Sequence, residues 1–115
     1  MKNEIYQTLD LIKESNKKAR KSNDYYTLLI NSQAMLDYLP DLIDYSVEQE
    51  HLYRRHEAEE LTKDGMTSAK AETNAKATEY YKEFRRSKEY TEWLYESINV
   101  AKKLAVDTNN NFKAS

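Results

Sequence analysis

The chain has little of what ends regular secondary structure: one glycine and one proline in 115 residues. It also has no cysteine, which excludes disulfides, thiolate metal sites and cysteine nucleophiles. The rest of the chain is rich in Glu, Lys, Ala, Leu and Tyr and has few turn signals. These absences predict an all-α protein built from a few long helices, and the length of 115 residues predicts one domain.

Long apolar runs are missing as well. No stretch approaches the roughly 20 apolar residues that a membrane span requires. The first residues, Met1–Tyr6, contain no apolar segment of the kind that directs secretion. We therefore expect a soluble, cytoplasmic protein with no membrane association.

The first two predicted helical segments cover residues 1–22 and 24–64. Ser22-Asn23-Asp24 is a helix-start signal, because short polar side chains can accept hydrogen bonds from the first free backbone amides. Pro40 either kinks the second segment or starts a new helix, and the sequence leaves both possibilities open. Gly65 is expected to end it with a left-handed C-cap. The most hydrophobic face of this segment is predicted to hold Tyr25, Leu28, Leu29, Ser32, Met35, Leu36 and Leu39.

The last predicted helix covers residues 67–108, about 40 residues, with Thr67 or Ser68 as its cap and a frayed tail over 109–115. Its length matches segment 24–64, which predicts a long antiparallel helical hairpin or three-helix bundle with a kink at Pro40. An apolar stripe with heptad-like spacing favours self-association, since it offers more surface than one chain can cover. The stripe consists of Tyr80, Phe84, Ser87, Thr91, Leu94, Ile98, Ala101 and Ala105.

The chemistry-bearing residues do not form a recognisable catalytic or metal site. Glu48 and His51 have the Glu-x-x-His spacing of di-iron helical proteins, but the second such motif is missing. His56-Glu57-x-x-Glu60 lacks the second histidine of a zinc protease helix. We interpret these residues as a solvated, charged helix face, and we expect no enzyme activity, no cofactor and no metal.

Two sets of residues are candidates for binding a macromolecule. Exposed aromatic and arginine side chains are typical of protein interfaces, and the sequence suggests such a surface from Tyr80, Tyr81, Phe84, Arg85, Arg86 and Trp93. The alternative is single-stranded nucleic-acid binding, with basic clusters on the phosphates and Tyr rings on the bases. The basic residues for that alternative are Lys17, Lys18, Arg20, Lys21, Arg54 and Arg55.

The segments Ser68-Ala69-Lys70-Ala71-Glu72 and Ala75-Lys76-Ala77-Thr78-Glu79-Tyr80-Tyr81 show a capped start, alternating Ala and charge, and a Tyr that leads into a long helix. Over residues 66–105 this pattern resembles small helical accessory proteins from the early regions of bacteriophages and prophages. The resemblance implies an accessory protein that acts by binding a protein partner, either as a host-directed inhibitor or in replication and recombination. No functional residues carry over from it.

Overall fold

The protein is all-α, as the sequence predicts. The structure is a computed structural model that describes the backbone of residues 3–114 and the side chains of residues 3–104 and 107. Four helices account for most of this range, and no strand occurs in it. They are α1 (Asn3–Lys21), α2 (Tyr25–Glu60), α3 (Ser68–Lys76) and α4 (Glu79–Ala114).

The helices divide into two compact units. Unit 1 takes in the chain up to Pro40 and again from Glu92 onward, so it contains α1, the first part of α2 and the last part of α4. Unit 2 is Asp41–Thr91 and contains the rest of α2, all of α3 and the start of α4.

Unit 1 is held by side chains from all three of its helical segments. Ala19 of α1, Leu28 of α2 and Ala101 of α4 form one buried cluster, against which Tyr25 and Leu104 pack. The two alanines of this cluster, Ala19 and Ala101, allow the helices to approach closely. Burying such apolar surface contributes about 25 cal/mol for each Å² removed from water. Further fully buried side chains in this unit are Tyr6, Leu9, Met35 and Leu94.

A polar contact also joins α1 to α2 in unit 1. The Asn31 side-chain amide donates to Asn16 Oδ1 at 2.8 Å and to Ser15 Oγ at 3.1 Å. Asn16 itself is buried. A buried amide without a partner would be costly, so this contact fixes the lateral position of α1 on α2.

Unit 2 buries Leu42 and Tyr53 of α2, Ala71 and Ala75 of α3, and Ser87 of α4. Tyr45 and Glu83 lie on facing parts of α2 and α4, and the tyrosine hydroxyl donates to the carboxylate at 3.0 Å. The buried residues of unit 2 therefore combine two large side chains, Leu42 and Tyr53, with the small side chains of Ala71, Ala75 and Ser87.

Two of the predicted caps are confirmed. Asp24 precedes α2 and its Oδ1 accepts from the Thr27 backbone amide at 3.1 Å. Hydrogen bonds from the Thr27 hydroxyl and then from its amide lower the pKa of Asp24, since both favour the carboxylate. Thr67 is the N-cap of α3, and its side chain accepts from the Lys70 amide.

The helix ends differ from the sequence prediction in one place near Gly65. Helix α2 ends at Glu60, earlier than the predicted residue 64, and a turn leads to α3. Gly65 lies within that turn with φ +73°, the left-handed conformation that the prediction assigned to it. Asn23, after α1, has φ 57°, so it takes the same role between α1 and α2.

The prediction of a single helix over 67–108 is wrong, because the structure interrupts it at residues 77 and 78. Thr78 explains the interruption. Its hydroxyl donates to the Ala75 carbonyl at 2.6 Å and accepts from the Tyr81 amide at 3.4 Å, so it ends α3 and caps α4. Helix α4 then continues to Ala114, beyond the predicted end at 108, and Ser115 of the predicted tail lies outside the described residues.

The question that Pro40 left open has a clear answer: it lies inside one continuous helix, α2. The predicted apolar face of this helix is partly wrong. Leu28, Ser32, Met35 and Leu39 are buried, but Leu29 and Leu36 are exposed. The helix is apolar on several sides, so the spacing of its apolar residues does not identify which side faces the core.

Candidate functional site

The predicted partner-binding residues do not form one exposed surface. Tyr81 and Phe84 are half-buried in unit 2, where both rings pack on the buried Tyr53. The ring centroid of Tyr53 lies 5.1 Å from that of Tyr81, edge to face, and 5.5 Å from that of Phe84, stacked. Burial raises the pKa of the Tyr53 hydroxyl. This cluster holds α2 and α4 together, and it leaves little of Tyr81 and Phe84 for a partner.

Tyr80 and Arg85 are the members of that set that reach solvent in unit 2. Tyr80 is exposed and borders a shallow groove with Leu52, Arg55 and His56. Arg85 lies 3.7 Å from Glu89 on the next turn of α4. Arg86 is half-buried and has its own contacts.

The basic pair Arg54 and Arg55 is neutralised within α2. The Arg54 guanidinium lies 3.7 Å from the Glu57 carboxylate, and that of Arg55 lies 3.2 Å from Glu59. Arg54 also stands over the Tyr53 ring, 4.8 Å from its centroid. Exposed pairs of this kind contribute little to stability, but they reduce the positive field that a phosphate would meet.

A second acidic side chain of unit 2, that of Glu60, is buried. The Glu60 carboxylate accepts from Lys63 at 2.9 Å and from the Asn74 amide at 3.4 Å, and His56 lies 3.4 Å from it. The Lys63 hydrogen bond is the main reason that the pKa of Glu60 is lowered. These contacts tie the end of α2 to α3, so we interpret the cluster as structural.

Trp93 belongs to unit 1 and not to the unit that contains the other predicted partner-binding residues. It is half-buried, and the Lys13 ammonium stands over its ring, 5.6 Å from the centroid. Trp93 and Lys13 are two walls of an open groove of about 380 Å³ between α1 and α4. Three residues of the predicted nucleic-acid set line the same groove, Lys17, Arg20 and Lys21.

We refer to this feature, lined by Lys13, Lys17, Arg20, Lys21 and Trp93, as the basic groove. Glu14, Asn16 and Ser97 complete its lining. Sequence reasoning missed Lys13 and assigned Trp93 to the other set. The available signal was the spacing of Leu9, Lys13, Asn16 and Arg20, which alternates steps of four and three and places all four on one face of α1. Lys18, the remaining member of the predicted set, is exposed on α1 and lines a different groove.

An apolar surface on α2 was also missed. Tyr26, Leu29, Ile30 and Leu36 are exposed, Tyr26 by 75%. At about 100° per residue these four positions lie within about 120° of the helix circumference, turned away from Leu28 and Met35. We call them the outer face of α2.

Most of the α4 stripe that was expected to favour self-association is covered by the chain itself. Four of its members, Ser87, Leu94, Ile98 and Ala101, are buried within the chain, and Phe84 is half-buried. The side chain of Ala105 lies outside the described residues. The stripe is thus used for intramolecular packing along most of its length.

The residues considered for metal binding lie apart from any cluster of ligands. Glu48 and His51 are both exposed on α2. Within the described part of the chain, no group of three or more His, Asp or Glu side chains is arranged to hold a metal ion. In the same part, no helix combines the length and the apolar character needed to cross a membrane.

Comparison of the chain with protein-family models, with curated proteins and with solved structures finds no match.

Proposed function

We propose that this is a non-enzymatic interaction protein that binds a protein partner through the outer face of α2. The observation that carries the proposal is the exposure of Tyr26, Leu29, Ile30 and Leu36 on one side of a well-packed unit. Large apolar side chains gathered on one exposed face mark interaction sites more often than scattered ones do. An amphipathic or apolar helix of a partner would remove this surface from water.

The resemblance of residues 66–105 to phage accessory proteins supports a more specific biological role. We propose a host-directed or replication-associated role in the cytoplasm, exerted by binding and not by catalysis. A second copy of the chain is one candidate for covering the outer face, which gives the proposal of a homo-oligomer a basis other than the α4 stripe.

The experiment compares Leu29→Ser/Leu36→Ser with Leu61→Ser, which changes an exposed leucine in the turn after α2. Each protein is immobilised, and the partner is captured from a bacterial extract and quantified. Wild type and Leu61→Ser are expected to capture the same protein, and the double variant is expected to lose it. Equal capture by the double variant would refute the role of the outer face.

Two further measurements make the result specific. The double variant should keep its helicity and lose about 1 kcal/mol of stability or less, because both positions are exposed. Light scattering on a sizing column gives the molar mass, and a dimer that becomes a monomer in the double variant identifies the occupant as a second copy. Arg85→Ala/Arg86→Ala tests the surface predicted from sequence in the same assay.

The alternative, a single-stranded nucleic-acid-binding accessory protein, is favoured by one specific observation, the basic groove. The basic groove shares no residue with the outer face of α2.

A further inference from the structure

The basic groove places cations where a helix bundle normally packs apolar side chains. Leu9 and Asn16 are buried on the inner face of α1, and Lys13 and Arg20 occupy the same face at heptad spacing from them. Lysine and arginine are rarely tolerated at such positions without a counter-charge. Here the helices leave an open groove at these positions, so the charged ends stay in water and their aliphatic stems line its walls.

The cations of the groove outnumber the acids that line it. Within the described part of the chain, no ion pair uses Lys13, Lys17, Arg20 or Lys21. The charged pairs of unit 2 show the contrast, since Arg54, Arg55, Lys76 and Lys82 each have a carboxylate one turn away. Glu14 is the carboxylate in the groove's lining, which leaves the site with a net charge of about +3.

An aromatic platform lies among these cations. Trp93 is half-buried, with the fully buried Leu94 beside it and the buried Ser97 one turn further along α4. Asn16, on the α1 side, is fixed by the Asn31 amide at 2.8 Å. Both walls of the groove are therefore held by the core of unit 1, and the indole is pre-positioned for a flat ligand.

The length of the charged row distinguishes between anionic ligands. Lys13 to Lys21 covers two turns of α1, about 12 Å at 1.5 Å per residue. A single inorganic phosphate needs only one end of such a row. A row of this length beside an aromatic ring matches a short stretch of phosphates with a base stacked on the ring, which is how single-stranded nucleic acid is commonly held.

We propose that the basic groove binds single-stranded nucleic acid, with one base stacked on Trp93 and neighbouring phosphates on Lys17, Arg20 and Lys21. The Lys13 ammonium stands 5.6 Å over the indole ring in the free protein, so the stacked base takes its place and the flexible lysine side chain moves to a neighbouring phosphate. This proposal does not rest on the binding of a protein partner by α2.

Trp93 is the only tryptophan in the chain, so its fluorescence reports on this groove alone. The test titrates the protein with an oligothymidylate of about 12 nucleotides at about 50 mM salt. Binding is expected to quench the fluorescence, because a stacked base contacts the indole directly. Absence of both quenching and a change in anisotropy of a labelled oligonucleotide would overturn the proposal.

A variant of the basic groove and a control variant of unit 2 test which residues contact the nucleic acid. Lys17→Ala/Arg20→Ala/Lys21→Ala should weaken binding at least tenfold and reduce the slope of log K against log salt by about two, at roughly 0.7 for each phosphate contact. Arg54→Ala/Arg55→Ala removes two positive charges from unit 2 and should leave the slope nearly unchanged. Equal losses in the two variants would refute the groove as the site. Helicity by circular dichroism shows that both variants remain folded.

Two further measurements distinguish base contacts from phosphate contacts, and the binding of a polymer from the binding of a small ligand. Trp93→Leu, followed by anisotropy of a labelled oligonucleotide, should weaken binding about tenfold with the salt slope retained, since stacking is lost and phosphate contacts remain. Inorganic phosphate or thymidine monophosphate should compete weakly. If the mononucleotide binds as tightly as the oligonucleotide, the site is one for a small ligand and the proposal of a single strand fails.

Discussion

Pro40 allows the most direct test of the backbone structure. It lies inside α2 with 15 helical residues before it and 20 after it. A proline in a helix interior removes one backbone hydrogen bond, here the one to the Leu36 carbonyl, and its ring crowds that carbonyl. The cost is about 3 kcal/mol relative to alanine.

Pro40→Ala should therefore stabilise the protein. Proline also restricts the unfolded chain, and losing that restriction offsets about 0.4–1 kcal/mol. The Pro40 side chain is exposed, so removing it costs little packing. The expected gain is about 2 kcal/mol, which corresponds to a rise of roughly 8 °C in the melting temperature for a chain of this size.

Urea unfolding followed by circular dichroism gives the free energy and its dependence on urea concentration. Pro40→Gly is the control, because it restores the amide without restoring helix propensity, and it should fall about 1 kcal/mol below Pro40→Ala. A Pro40→Ala variant that is less stable than wild type would contradict the reasoning. That result would mean that side-chain packing favours proline at this position, and that the proline is not merely tolerated in spite of its energetic cost.

The remaining predictions concern turns, core and pH. Gly65→Ala should cost about 1 kcal/mol of stability, because Gly65 has φ +73°, which strains a residue with a Cβ. The added Cβ would meet nothing within 4 Å, so no steric clash adds to this cost. Asn23→Gly should be close to neutral, because glycine adopts the φ of 57° at that position without strain. Thermal unfolding measures both, and a neutral Gly65→Ala would contradict the left-handed turn. Leu94→Ala should cost about 2–5 kcal/mol because its side chain is fully buried, and a loss below about 1 kcal/mol would argue against that packing. The pKa of Glu60 is lowered in the folded state, so its contribution is present above the unfolded value near pH 4 and is lost as the pH falls further. Glu60→Gln should thus lower the melting temperature at pH 6 and have less effect near pH 3, and a difference independent of pH would contradict the contact with Lys63.

Sequence reasoning succeeded where the signal is local. The scarcity of glycine and proline predicted an all-α chain, and the caps at Asp24 and Thr67 are set by side chains within three residues. Thr78 shows the limit of this approach. A threonine in an Ala-rich segment is compatible with a helix interior, so nothing in the pattern marks it as the end of α3 and the cap of α4.

The candidate sites were harder to predict because they depend on which face of each helix is covered. In α2, Leu28 and Met35 point inward and Leu29 and Leu36 outward, yet all four are apolar. Periodicity cannot choose between two faces of similar hydrophobicity. The approach of Lys13 to Trp93 joins α1 to α4 across 80 positions of sequence, and no local pattern specifies such a contact.

A net negative charge on the whole chain argues against nucleic-acid binding, but the placement of the charges in the structure weakens that objection. The sequence sums to −2, but a phosphate responds to charges within about one Debye length, 8–10 Å at physiological salt. Many acids of unit 2 are paired with bases one helical turn away, as Glu57 and Glu59 are with Arg54 and Arg55. The basic groove instead concentrates four cations around one carboxylate. Local charge and a positioned indole, and not the isoelectric point, therefore decide what this groove can bind.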